Sequence, residues 1–176
     1  MARFPYTKLN AKINNEVKTI VVDGVDNPVE VRQYLPIDEK LGLIGRVIEL
    51  AHDGNNFSNP LKLKVYYSLE VVQAYTNIAF TDKQKENPTK LYDALESSGW
   101  MKQIYDAIPL EEWGLLYGGL IETIENYYKY RNSVLGVIEN ISTDYSDLNL
   151  DIGALQEKLA NGENIELVKN IMTQLG

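Results

Sequence analysis

Residues 17–51 read VKTIVVDGVDNPVEVRQYLPIDEKLGLIGRVIELA, and the change of period inside them decides the fold class. Glu16 to Asp23 is β-branched and partly alternating, and Gly24-Val25-Asp26-Asn27 is rich in turn formers. Pro28 to Leu35 then alternates Val29, Val31 and Gln33 against Glu30, Arg32 and Tyr34. Two such runs around a turn cluster predict a β-hairpin over residues 16–35. A lone hairpin is barely stable in water, so this one needs a surface to pack on. At Pro36 the period changes. Pro36-Ile37-Asp38-Glu39 sets proline and two acids at a helix start, next to the positive end of the dipole. Leu41, Ile44, Ile48 and Ala51 follow at helical spacing, with Leu43, Val47 and Leu50 widening the stripe.

Downstream the chain reads as helix. Asn59-Pro60 caps and starts a second one; Leu61 to Val65 alternates like a strand, but Val65, Leu69, Val72 and Thr76 keep helical spacing, and Tyr75 and Ile78 extend that face. Thr81 to Asn87 reads as a charged connection, Pro88 to Leu95 as a shorter helix, and Trp100 to Ile108 as another. Pro109-Leu110-Glu111-Glu112 opens the longest segment, running to about Ser142, with Trp113, Leu116, Leu120, Ile124, Tyr127, Tyr128, Leu135 and Ile138 at spacings of three, four and seven. Unbroken it would extend ~50 Å at 1.5 Å per residue, and it is expected to be the spine of the fold. The expectation is a mainly α fold: an N-terminal β-hairpin followed by a bundle of five or more helices built around one long helix. Residues 1–15 read as a flexible arm, 16–142 as one helical domain, and 143–176 as a C-terminal helical hairpin, packed or mobile, split at Asn161-Gly162.

The totals restrict the chemistry. A chain of 176 residues with 44% apolar content can bury a core without staples. It has no cysteine, which removes disulfide frameworks, thiolate metal sites and cysteine nucleophiles. Its 17 Lys+Arg against 25 Asp+Glu give a net charge of -8, which repels phosphate backbones and anionic lipid. The nearest thing to a basic patch, Lys8 to Lys18, is diluted by Asn and Glu, so neither nucleic acid nor a membrane is expected as a partner. The N-terminus carries no signal-peptide pattern and no apolar run reaches ~18 residues, which points to the cytoplasm.

Catalytic and metal motifs do not emerge, and no cofactor, metal or enzymatic activity is expected. The single histidine, His52, falls at a predicted helix end, where it complements the dipole. Asp144, Asp147 and Asp151 lack the alternate spacing, central glycine and terminal Glu of a calcium loop. Gly114, Gly118 and Gly119 form no phosphate-binding pattern and read instead as a bend or a close helix contact. The acid pairs Asp38/Glu39 and Glu111/Glu112 lie in first helical turns, where the dipole alone accounts for them.

Tyrosine is the suggestive residue: 12 Tyr against 3 Phe. Its flat apolar ring and water-tolerant hydroxyl suit interfaces. Tyr127, Tyr128 and Tyr130 fall within one turn and cannot all face one core, and Tyr117 sits some 100° from Leu116. Two readings stand: the amphipathic rim of an ordinary core, or a protein-binding face made by Tyr117, Tyr127, Tyr128 and Tyr130.

Residues 17–51 resemble the opening of the small tail-assembly chaperones of long-tailed bacteriophages, in which a hairpin turning on a DG feeds directly into an amphipathic helix. AYTNIAFTDKQKENPTKLYDALESSG (74–99) and YYKYRNSVLGVIENISTDYSDLNLD (127–151) resemble small uncharacterised proteins of phages infecting Gram-positive bacteria. The first resemblance implies a non-enzymatic assembly factor that coats the tape-measure protein and recruits tail-tube subunits; self-association is a separate expectation, from the tyrosine-rich face of the long segment. The competing reading is a phage accessory protein that inhibits or triggers a host defence system by protein–protein contact.

Overall fold

The computed structural model describes residues 5–21, 28–52, 59–133 and 136, and gives a mainly helical chain with an N-terminal antiparallel hairpin. After a single 3-10 turn at Tyr6–Leu9 come β1 (Val17–Ile20), β2 (Val29–Arg32), α1 (Ile37–Ala51), α2 (Pro60–Tyr75), α3 (Asp82–Lys85), α4 (Pro88–Ser97), α5 (Trp100–Ala107) and α6 (Leu110–Arg131). The chain forms two compact units, Met1–Leu120 and Ile121–Gly176, so their boundary falls inside α6. The expected hairpin turn at 24–27, the helical hairpin over 143–176, and Asp144, Asp147 and Asp151 lie outside the described residues.

In the first unit the hairpin pairs Val17 with Arg32, Lys18 with Val31, Thr19 with Glu30 and Ile20 with Val29. Alternation in β2 sends Val29 and Val31 into the core and leaves Glu30 exposed. The surface this hairpin needed is the C-terminal end of α2. Val31 bridges to Thr76, and the Glu30 N–H donates to Asn77 Oδ1 at 3.2 Å.

On α1 the buried line is Lys40, Leu43, Val47 and Ala51. Leu41, expected on the buried stripe, is 61% exposed, and Ile44 and Ile48 are half-buried. Apolar residues occupy two adjacent strips of this helix, and the strip that carries Lys40 is the buried one.

α2 is helical from its first turn despite the alternation of Leu61 to Val65. Asn59 Oδ1 accepts from the N–H groups of Leu61 and Lys62 at 3.0 and 3.2 Å, with Pro60 at the first position. Burial is continuous from Tyr67 to Val72. The helix stops at Tyr75, so Thr76 and Ile78 do not prolong its face; Thr76 turns extended, its hydroxyl donating to the Val72 carbonyl at 2.6 Å.

Thr81 to Asn87 is not merely a connection. A capping box nucleates α3: the Thr81 hydroxyl accepts from the Gln84 N–H, and Gln84 Oε1 accepts from the Thr81 N–H at 2.8 Å. Asn87 caps α4 through the Lys90 N–H at 3.1 Å. Gly99, at φ 77, then adopts the left-handed conformation that lets α5 start at Trp100, and α5 buries Met101, Ile104 and Ala107.

Among the described residues α6 is the longest helix at 22 residues, but it ends at Arg131 rather than about Ser142. There the Ser133 N–H donates to the Tyr130 carbonyl, as does the Ser133 hydroxyl. Serine competing with the backbone in this way favours a helix end over its continuation. In the first unit α6 buries Glu112, Leu116 and Leu120. A Cβ on Gly119 would stand 3.3 Å from Ile44 Cδ1, whereas one on Gly118 would meet nothing; Gly119 therefore serves a close helix contact.

Candidate interaction site

The α6 segment of the first unit is held by a buried polar junction. Glu112 Oε1 accepts from Lys40 Nζ at 2.7 Å, and Glu112 Oε2 accepts from the Leu35 N–H at 3.1 Å and the Tyr75 hydroxyl at 2.9 Å. One carboxylate thus joins the end of the hairpin, α1, α2 and α6. Lys40 is only 3% exposed and Glu112 only 9%; the lysine also lies 4.4 Å from the Tyr34 ring centroid. Burial pushes the Glu112 carboxyl up, but the Lys40 ammonium, the Leu35 N–H and the Tyr75 hydroxyl together hold it below the usual carboxylate range. Burial, followed by the bond to Glu112, drives the Tyr75 phenol far above its ordinary value. The sequence reading of Glu112 as a simple first-turn acid is corrected here: the dipole account covers its position on the helix, not its burial.

Two further ion pairs tie the same elements. Arg32 grips Glu39 in a fork, at 2.6 and 3.0 Å, and donates to the Ala74 carbonyl at 3.3 Å. The Glu39 carboxyl is lowered first by that hydrogen bond. Arg46 Nε meets Glu70 at 2.7 Å. Both carboxylates line a groove of about 500 Å3 whose apolar lining includes Leu69 and Phe80. Each is already committed to an arginine.

Above the junction, α6 carries an aromatic cluster. Trp113 and Tyr117, one turn apart, lie with ring planes within 4° and centroids 6.5 Å apart. Buried Tyr67 meets both edge-on, at 5.3 and 5.8 Å, and Tyr105 packs on Trp113 at 4.5 Å. Burial pushes the Tyr105 phenol up to about 12 and drives that of Tyr67 higher still. Tyr117 remains 50% exposed. Its ring meets Trp113 and Tyr67 within the protein, and Leu110 and Leu115 are exposed on the same helix at 82% and 57%.

The second unit holds the other three predicted tyrosines. Tyr127 and Tyr128 make an edge-on pair with centroids 5.9 Å apart, and Arg131 reaches the Tyr127 hydroxyl at 3.4 Å. Both are half-buried, and Tyr130 is 49% exposed. Tyr117 thus belongs to one unit, and Tyr127, Tyr128 and Tyr130 to the other.

His52 closes α1, its N–H donating to the Ile48 carbonyl at 3.0 Å. Among the described residues no group of three or more His, Cys, Asp or Glu is placed to hold a metal ion, and no helix is long and apolar enough to cross a membrane. No protein-family model, curated protein or solved structure matches the chain. Sequence reasoning missed Lys40, Glu112, Tyr67 and Tyr105. The Trp113/Tyr117 pair was within its reach, since aromatic residues four apart on a helix are neighbours.

Proposed function

We propose that this chain is a non-enzymatic protein-binding factor acting in the cytoplasm of a phage-infected cell, a tail-assembly chaperone that engages tape-measure or tail-tube protein. The observation that carries the binding role is the state of Tyr117: half exposed, yet locked by Trp113 and Tyr67. An aromatic side chain already held in one orientation loses little freedom on binding, and this is the property of residues that dominate interfaces. The assignment to tail assembly draws on the resemblance of residues 17–51. The test is sedimentation of the pure chain with tape-measure and tail-tube proteins from the same phage. A complex that Tyr117→Ala weakens about tenfold or more supports the reading. Absence of any complex removes the assembly role, and a complex indifferent to Tyr117→Ala removes the site.

A further inference from the structure

We propose that the outer edge of β1 pairs with β1 of a second copy of this chain, antiparallel about a two-fold axis through Thr19. The sheet has two edges, and they differ. The β2 edge is occupied: Val31 bridges to Thr76, the Glu30 N–H donates to Asn77 Oδ1, and the Asn77 side-chain amide donates to the Pro28 carbonyl. Among the described residues nothing pairs with the edge of β1, and its residues are exposed except Ile20, which is half-buried.

The ladder states which groups are turned outward. The Gln33 N–H donates to the Glu16 carbonyl at 2.9 Å, so residues 16 and 33 form a hydrogen-bonded pair. Alternation along an antiparallel ladder makes 18 with 31 and 20 with 29 the next such pairs. The N–H and C=O groups of Val17 and Thr19 therefore face away from β2, and alternation continued one residue past β1 would direct those of Val21 outward. These are the groups a further strand would bind.

Sequence and parity select a second β1 as that strand. An antiparallel partner must place outward residues opposite outward residues. Centring on Thr19 sets Thr19 against Thr19, and Val17 against Val21 twice, the register that uses the most outward groups. A Thr–Thr pair and β-branched apolar pairs are favourable cross-strand neighbours. Val17 and Val21 are 50% and 80% exposed, so each copy covers an apolar residue of the other. The one charge in the strand, Lys18, falls opposite Ile20; shifting the axis to residue 18 would set lysine against lysine. β1 is short, at four residues, and carries Lys18, both features that blunt an edge, but it contains no proline. The proposal rests on β1 alone and holds whether or not the α6 tyrosines bind a partner.

The experiment uses the full chain in a sedimentation concentration series. A reversible dimer is expected, and since each copy has a charge of -8, added salt should strengthen it. Thr19→Pro removes an N–H that β2 does not use, deletes both bonds of the central pair, and should weaken association about tenfold or more. Because the chain has no cysteine, register can be read by crosslinking. Residues of a hydrogen-bonded antiparallel pair have Cα atoms about 5.5 Å apart, within disulfide reach. Thr19→Cys should oxidise to a covalent dimer, Val17→Cys should do so only when mixed with Val21→Cys, and the exposed control Leu61→Cys should not. A chain monomeric up to concentrations on the order of 1 mM overturns the proposal. So does a dimer indifferent to Thr19→Pro, or crosslinking of Thr19→Cys no greater than that of Leu61→Cys.

Discussion

Lys40 Nζ and Glu112 Oε1, 72 residues apart in sequence, meet at 2.7 Å inside the first unit, both almost fully shielded from water. A buried pair of this kind is a condition on the fold more than a source of stability, because desolvation offsets the attraction between the charges. Removing one partner strands the other. Glu112→Leu alone should destabilise by about 3–5 kcal/mol, as should Lys40→Met alone, while the double substitution should cost much less than the sum. Denaturant unfolding of the three variants checks this; additive costs would show that the two groups act separately.

The same carboxylate sets the acid limit. The folded-state pKa of Glu112 lies below its unfolded value, because its three donors outweigh the effect of burial. Its contribution is therefore complete above the ordinary carboxylate pKa and is lost as pH falls through the depressed folded value. Glu39, lowered by Arg32, acts in the same direction. Thermal melts should show stability falling steadily below about pH 4.5, the unperturbed glutamate value. The Glu112→Leu variant should show a shallower acid limb than the parent.

At high pH the tyrosines take over. Tyr105 is raised from 10.0 to about 12 by burial. A raised folded pKa contributes stability that is complete below pH 10 and lost as pH rises toward 12, and Tyr67 and Tyr75 shift the same way. Phenolate absorbance from these buried rings should therefore appear only well above pH 10, together with loss of helix signal. Their early ionisation would show that the cluster is open to water.

Much of this architecture was legible because it is local. The hairpin followed from alternation and the helix starts from Asn59-Pro60, Pro88 and Pro36-Ile37-Asp38-Glu39, features that need only near neighbours in the chain. The Thr81/Gln84 capping box was equally local and simply overlooked among charges. The junction was illegible for a physical reason: nothing around Glu111-Glu112 says which acid turns inward, since that depends on a lysine 72 residues upstream. The two apolar strips of α1 posed the same problem, as only the partner decides that Lys40 is buried and Leu41 exposed. Tyr117 is intermediate. Its pairing with Trp113 is local, but the buried Tyr67 beneath both comes from another helix.

Gly118 and Gly119 give a paired contrast within one helix. Gly118→Ala adds a methyl group into open space and removes the entropic cost of glycine, so it should stabilise by about 0.5–1 kcal/mol. Gly119→Ala gains the same propensity but presses its Cβ to 3.3 Å from Ile44 Cδ1, so the gain should shrink or vanish unless the Ile44 side chain shifts. The double variant Gly119→Ala/Ile44→Val should then recover part of it. Equal melting temperatures for Gly118→Ala and Gly119→Ala would show that α6 does not press on α1 at this point.

Tyr117 and Leu120 separate binding from folding on the same stretch of α6. Leu120 is 1% exposed, and truncation to Ala leaves a cavity, so Leu120→Ala should cost about 2–5 kcal/mol. Tyr117 is 50% exposed; its ring covers Trp113 and the edge of Tyr67 but fills no enclosed space, so Tyr117→Ala should lose only the aromatic contact, about 0.5–1.5 kcal/mol. Tyr117→Phe keeps the stack and removes the hydroxyl alone. If the ring is an interface anchor, Tyr117→Phe should melt like the parent and bind nearly as well, whereas Tyr117→Ala should melt slightly lower and bind far less. If Tyr117 belongs only to the rim of the core, Tyr117→Ala should again melt slightly lower, still well above Leu120→Ala, but leave association unchanged. Thermal melts paired with sedimentation of the four proteins decide between them, because only an interface role moves the binding.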